Sequence, residues 1–207
     1  TWKSRGLGDV YKRQFYTYDH LKDFVIDGET LNGIKKIVSS AEISKLSADR
    51  VWSETSRALN SSNPNLYFEK IISLGILDPF FCKLKIPSCD SHVDQEIRWS
   101  ELQFNNNFDL GQNLPIPNGC INASNVLKNI SQITKESSEE VLLSIIKSSH
   151  FIRNFKTITK LCTLPALDKN RDYIEKIAKE IQDTDFSFLS DTPVSYTHLT
   201  LPTKCSV

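Results

Sequence analysis

Between Leu46 and Gly75 the chain carries helix punctuation dense enough to fix what can fold there. Ser47 precedes Ala48-Asp49-Arg50-Val51-Trp52-Ser53-Glu54-Thr55, and its hydroxyl can accept from a free amide of a first helical turn. Val51, Trp52, Thr55, Ala58 and Leu59 recur at spacings of three and four, which is one stripe of a helix. Asn63-Pro64 then supplies a cap side chain and a residue whose fixed φ suits a first turn. Tyr67, Phe68, Ile71, Ile72 and Leu74 fill one broad face, and Gly75 stands where a left-handed residue ends a helix. Ile76, Leu77, Phe80 and Phe81 form an apolar exit. Upstream, Asp27 can cap a helix carrying Leu31, Ile34, Ile37 and Val38, with Glu29 in its first turn. Three short helices of this kind can bury one common core.

The rest reads as helical too. From Cys82 to Glu96 the pattern fades into a polar connector containing Pro87, and a short helix follows around 97–104. Asn105 through Gly119, with Pro115 and Pro117, reads as a long loop. Ser124 is expected to cap a helix carrying Val126, Leu127, Ile130 and Ile133. Ser137 and Glu140 suggest a capping box before Val141, Leu142, Ile145 and Ile146. Two further helices are expected at about 150–161 and 170–182, the last with Tyr173, Ile174, Ile177 and Ile181 inward. No useful strand alternation or internal repeat appears. The fold class is all-α.

Charge and cysteine usage narrow the function. The two ends, 1–14 and 193–207, resemble translated sequencing adapters and are set aside as non-native. They hold five basic residues (Lys3, Arg5, Lys12, Arg13, Lys204) and one acid, Asp9. Without them the 25 basic and 25 acidic residues become 20 and 24, a net of −4. Any nucleic-acid surface must therefore be local. No apolar run is long enough to span a membrane. Cys82, Cys89, Cys120 and Cys162 form no CxxC pair. Cys82, Cys89 and His92 match no common zinc spacing, so no metal site is assigned and reduced thiols in a cytoplasmic setting are expected.

The segment from Phe15 to about Phe81 resembles, without a gap, the region after the catalytic head of bacterial CCA-adding enzymes, the class II tRNA nucleotidyltransferases. Phe15 sits where that family opens this region with Arg-Phe, with Gln14 in place of the Arg. Glu29-Thr30-Leu31 matches a family Glu-Thr-Leu. Leu46 through Thr55 matches Leu-Thr-Pro-Glu-Arg-Val-Trp-Lys-Glu-Thr, with Ala48 for Pro and Asp49 for Glu, and Asn63-Pro64 and Gly75 also fall in place. The resemblance points to the CCA-adding branch more than to the related poly(A) polymerases. It implies a helical neck sub-domain (15–81), a connector (82–97) and a helical body sub-domain (98–192). It also implies tRNA as partner, with CTP, ATP and Mg²⁺ bound by the catalytic head that precedes this region in the family: no Gly-rich phosphate loop or nucleophile constellation is present, so no catalytic residue is assigned. The alternatives are a non-catalytic helical RNA-binding module and a poly(A)-tailing enzyme.

Two groups of site candidates follow. Arg50, Glu54 and Arg57 share one helix face. By resemblance, Arg50 and Glu54 brace the neck against the head and support nucleotide selection; Arg57 keeps the plain reading of a solvated face, and Trp52 is read as core rather than as a platform for a nucleobase. Many relatives carry a His-Asp phosphohydrolase body. Here Arg98-Trp99 through Leu102 resembles the sequence before that pair, but Phe104-Asn105 takes its place, and an amide cannot stand in for imidazole plus carboxylate. His92 and His150 are then expected to be surface or satisfied residues. Between Glu140 and Asp168 there is no acid, while Lys147, His150, Arg153, Lys156 and Lys160 accumulate with Phe151 and Phe155 between them. Lys147, Arg153, Lys156 and Lys160 are the tRNA-binding candidates, since a cationic stripe can neutralise phosphates; the competing reading is a solvated face over two core phenylalanines.

Overall fold

Ser47 caps the helix that the sequence places after it: its Oγ accepts from the Arg50 amide at 3.4 Å. The structure is a computed structural model that describes residues 28–39 and 46–184. The expected Asp27 cap, Phe15 and the adapter-like ends lie outside the described residues. Among the described residues there are eight α-helices and no strand. In chain order they are α1 (Gly28–Ser39), α2 (Ala48–Leu59), α3 (Asn65–Leu74), α4 (Gln95–Asn105), α5 (Asn118–Ile130), α6 (Glu139–Ser148), α7 (Phe151–Leu161) and α8 (Arg171–Asp183), with a 3-10 turn at Pro165–Leu167. The all-α fold class holds.

Gly75 ends α3 as expected, with φ +68°. Its N–H reaches Ile72 O at 3.1 Å and the Ile76 N–H reaches Ile71 O at 2.9 Å, the paired pattern of a left-handed helix stop. Three expected caps differ. Pro64 itself is the N-cap residue of α3 and no side chain caps it, so Asn63 stands one position too early. Ser124 lies inside α5, which starts directly after Pro117. Proline sets that start, and the Ser124 hydroxyl donates to the Cys120 carbonyl one turn back, at 2.8 Å. The cap of α6 is Ser138, whose Oγ accepts from the Val141 amide. Ser137 instead accepts from the Thr134 amide at 3.0 Å and closes the preceding turn.

Two apolar clusters hold the helices together. The first gathers Trp52 and Leu59 of α2, Tyr67, Phe68 and Ile71 of α3, Phe80, Phe81 and Leu84 of the exit, and Trp99 and Leu102 of α4. Trp52 meets Trp99 edge to face with ring centroids 5.2 Å apart. The second gathers Val126, Leu127 and Ile130 of α5, Ile158 and Leu161 of α7, and Ile174 of α8. Helix α4 serves both, because Ile97 points into the second cluster while Trp99 and Leu102 point into the first.

The polar connector is pinned by side-chain amides. Asn65 Oδ1 accepts from Cys89 N at 2.8 Å. Asn106 Oδ1 accepts from Lys85 N at 2.7 Å and Ile86 N at 3.0 Å, and its Nδ2 donates to Ile86 O and Leu102 O. Gln103 holds the loop after α4 by bonding both backbone groups of Leu110. At Gly111, φ is +67° and a Cβ would lie 3.2 Å from Leu114 and Trp99, so the loop crosses the core wall only with glycine there.

Candidate nucleic-acid interface

The first candidate group lies on α2. Arg50 is exposed and forms no ion pair among the described residues. Glu54 is only 7% exposed, and its Oε1 accepts from Arg57 Nη1 at 2.9 Å. Arg57, read from sequence as solvated, is half-exposed and still reaches back to Glu54, since a three-residue step keeps both on one face. Glu54 Oε2 is buried with no hydrogen-bond partner among the described residues. A buried carboxylate oxygen in that state is costly, so it marks a site where a further contact has something to offer. Beneath it, Thr55 Oγ1 and the Tyr67 hydroxyl lie 3.1 Å apart, and burial pushes the Tyr67 hydroxyl well above its ordinary range. Trp52 is buried and packs as core.

The second group divides between two helices. Lys147 is exposed in the last turn of α6. Arg153, Lys156 and Lys160 are exposed on α7, with Phe151 buried and Phe155 half-buried beneath them. Lys160 is engaged: its Nζ lies 2.6 Å from Asp94 Oδ2. The hydrogen bond between them holds the Asp94 carboxyl below its usual range and the Lys160 ammonium above its own. Arg153 and Lys156 form no ion pair among the described residues. The cationic surface is thus centred nearer the start of α7 than the sequence stripe suggests.

The residues at the place of the His-Asp pair have other work. Asn105 Nδ2 donates to Ser88 O at 2.9 Å, and Phe104 packs edge to face on Phe108 at 5.9 Å. His92 accepts from the Asp94 amide through Nδ1 at 2.9 Å, while His150 is exposed at the start of α7 with φ +46°. Cys89, Cys120 and Cys162 are buried and Cys82 is exposed. Among the described residues no three His, Cys, Asp or Glu side chains gather as metal ligands would. No described helix is long and apolar enough to cross a membrane.

Arg98 was not singled out by sequence. Its guanidinium is buried and Nη1 donates to Leu59 O at 2.6 Å and Ser61 O at 2.7 Å, the carbonyls that close α2. A cation at that negative end is favourable and ties α2 to α4. Gln95 adds to the joint by accepting from Ser56 Oγ at 2.9 Å and Asn60 Nδ2 at 2.6 Å. The α2 face that carries Arg50 and Glu54 is thereby held fixed against the helix that begins the second half of the chain.

Comparison with known proteins bears on the same segment. Residues 23–86 match the family described as "Probable RNA and SrmB- binding site of polymerase A". The chain is 40% identical over 65 residues to the Multifunctional CCA protein of Haemophilus influenzae, covering 31% of this chain and 16% of that protein. It is 35% identical over 68 residues to the CCA-adding enzyme of Actinobacillus succinogenes, covering 33% and 17%. It is 41% identical over 61 residues to the Multifunctional CCA protein of Pseudoalteromonas atlantica, covering 30% and 15%. The chain therefore spans about a sixth of the length of these relatives. No solved structure matches it. The similarity to these proteins and to that RNA-binding family thus lies in one segment, within or close to residues 23–86.

Proposed function

We propose that this chain is the tRNA-holding part of a tRNA nucleotidyltransferase that adds CCA to tRNA 3′ ends from CTP and ATP. The observation that carries the reading is the match of residues 23–86 to an RNA-binding family segment shared with proteins named for CCA addition. In this reading Arg50 and Glu54 brace the catalytic head, and the unpartnered Glu54 oxygen on a rigidly held helix supports that role. Lys147, Arg153 and Lys156 contact tRNA phosphates without reading bases, with Lys160 lending its charge from its pairing with Asp94. In this reading Mg²⁺, CTP and ATP are bound by the catalytic head. The parent enzyme works in the cytoplasm.

A second reading is favoured by the family description, which names polymerase A: a poly(A)-tailing enzyme that uses ATP alone. Two measurements decide. The 207-residue chain should bind tRNA with a salt-dependent affinity and incorporate no nucleotide. The protein extended to include its head should add C, C and A to tRNA lacking them. Runs of A from ATP alone would establish the tailing reading, and absence of both tRNA binding and incorporation would sink both readings.

A further inference from the structure

Helix α6 turns an apolar residue to solvent. Leu142, Ile145 and Ile146 pack on the second apolar cluster, whereas Leu143 takes no part in it and is 54% exposed. At about 100° per residue, Leu143 stands about 200° round the helix from buried Ile145, on the outer face. Glu140 lies one turn before it on that face and Lys147 one turn after, and both are exposed. Seven residues make nearly two whole turns, so Glu140 and Lys147 are aligned about 10 Å apart along the axis, with Leu143 between them. Neither charge forms an ion pair among the described residues.

The helix dipole accounts for the sign of each charge, since Glu139 and Glu140 lie in the first turn of α6 and Lys147 in the last. It does not account for Leu143, and one exposed leucine is ordinary on a protein surface. What sets this face apart is its order: acid, leucine, base, at steps of three and four. Turned end for end, the same order reads base, leucine, acid, so the face is its own electrostatic complement. Positions 140 and 147 are equally far from a twofold axis passing between residues 143 and 144. Such an axis sets Glu140 of each copy opposite Lys147 of the other and brings the two Leu143 side chains together. Helices paired in this way also run antiparallel, with their dipoles opposed. A parallel copy, or a partner of one charge sign, would satisfy only one end.

We propose that the outer face of α6 docks a second copy of this chain, α6 against α6 and antiparallel, in a twofold dimer held by Leu143 and two Glu140–Lys147 pairs. Dimerisation through this face requires nothing of the tRNA-holding reading. One helix face buries less than the roughly 1,000 Å² of a stable interface, so the dimer forms at high concentration and separates on dilution. Both ion pairs border solvent, so added salt weakens it.

The test is sedimentation velocity of the RNA-free 207-residue chain over a concentration series at low and high salt. Wild type should pass from monomer to dimer as concentration rises, and shift back toward monomer in high salt. Glu140→Lys alone and Lys147→Glu alone each set like charges at both contacts and should weaken the dimer by about tenfold. The double reversal, Glu140→Lys with Lys147→Glu, should restore it. That variant carries the least favourable charges for the helix dipole, so its recovery cannot come from a firmer helix. Leu143→Ser should weaken the dimer and leave its salt dependence in place. Circular dichroism checks that each variant stays helical. Where a reversal lowers helicity, Glu140→Gln and Lys147→Gln take its place, and each should weaken the dimer by a few-fold. A wild type that stays monomeric at every concentration overturns the proposal. So does a dimer that the single charge changes leave intact, one that a helical double reversal fails to restore, or one indifferent to Leu143→Ser.

Discussion

At the scale of single residues, Trp52 and Ser47 stabilise the same helix by unlike means. Trp52 is almost fully buried against Trp99, so Trp52→Ala opens a cavity and should cost roughly 3–5 kcal/mol. Ser47 contributes one hydrogen bond at an exposed helix start, so Ser47→Ala should cost about 1 kcal/mol. Chemical denaturation of both variants checks this, and equal, small losses would mean that the inward face of α2 is misplaced. The buried thiols make a separate prediction about pH. Burial pushes Cys120 up to about 11 and Cys162 up to about 12, and Cys89 rises for the same reason. An unfolded thiol ionises near about 8.5. Below that pH both states hold the proton and nothing is lost. Above it the unfolded chain binds fewer protons than the folded one, so stability should fall as pH rises from about 8.5 toward the folded values. A denaturation midpoint that stays level from pH 8 to 10 would contradict the burial of these groups. Trp52 was legible in sequence because its stripe is local. Arg98 was not, because the carbonyls it clamps lie 37 and 39 residues away.

At the scale of elements, helix existence was legible and helix starts were less so. The apolar stripes of α2, α3, α7 and α8 follow from local period. A cap depends on where a neighbouring proline or turn has already placed the chain. Pro117 stands at the N-cap of α5 seven residues before the expected Ser124 cap, and Thr134 claims the Ser137 hydroxyl that a capping box would use. The connector reads as featureless because its order comes from amides at Asn65, Asn105 and Asn106, whose partners are backbone atoms distant in sequence. The α7 stripe was legible as a face, but the pairing of Lys160 with the N-cap residue of α4 was not. That pair predicts a titration. Its carboxylate half is stabilising above the ordinary Asp range and is lost as pH falls through the depressed Asp94 value. Its ammonium half is lost only as pH rises through the raised Lys160 value. In Lys160→Met, the Asp94 carboxyl followed by NMR should titrate at higher pH than in wild type. Global stability should change little, since both groups face solvent. An unmoved Asp94 titration would show that the contact does not persist in solution.

At the scale of the whole molecule, the family match ends at residue 86, yet the packing does not. The first apolar cluster is completed by Trp99 and Leu102, and the second begins with Ile97, all on α4. The matched segment therefore relies on a helix beyond its own limit, and that helix is bolted to it by Arg98 and Gln95. This arrangement predicts that the two clusters unfold together. Phe68 lies fully buried in the first and Leu164 fully buried in the second. Phe68→Ala should cost roughly 3–5 kcal/mol and Leu164→Ala roughly 2–5 kcal/mol. Tryptophan fluorescence senses the first cluster through Trp52 and Trp99, whereas far-ultraviolet dichroism senses all the helices. If α4 couples the clusters, Leu164→Ala should lower the fluorescence midpoint as much as the dichroism midpoint, although no described tryptophan lies in its cluster. A dichroism curve that splits in two, with the fluorescence transition left in place, would mean that α4 merely touches both clusters. The α2 face would then be held independently of α7, which carries Arg153 and Lys156, and the two groups of candidate residues would not share one rigid frame.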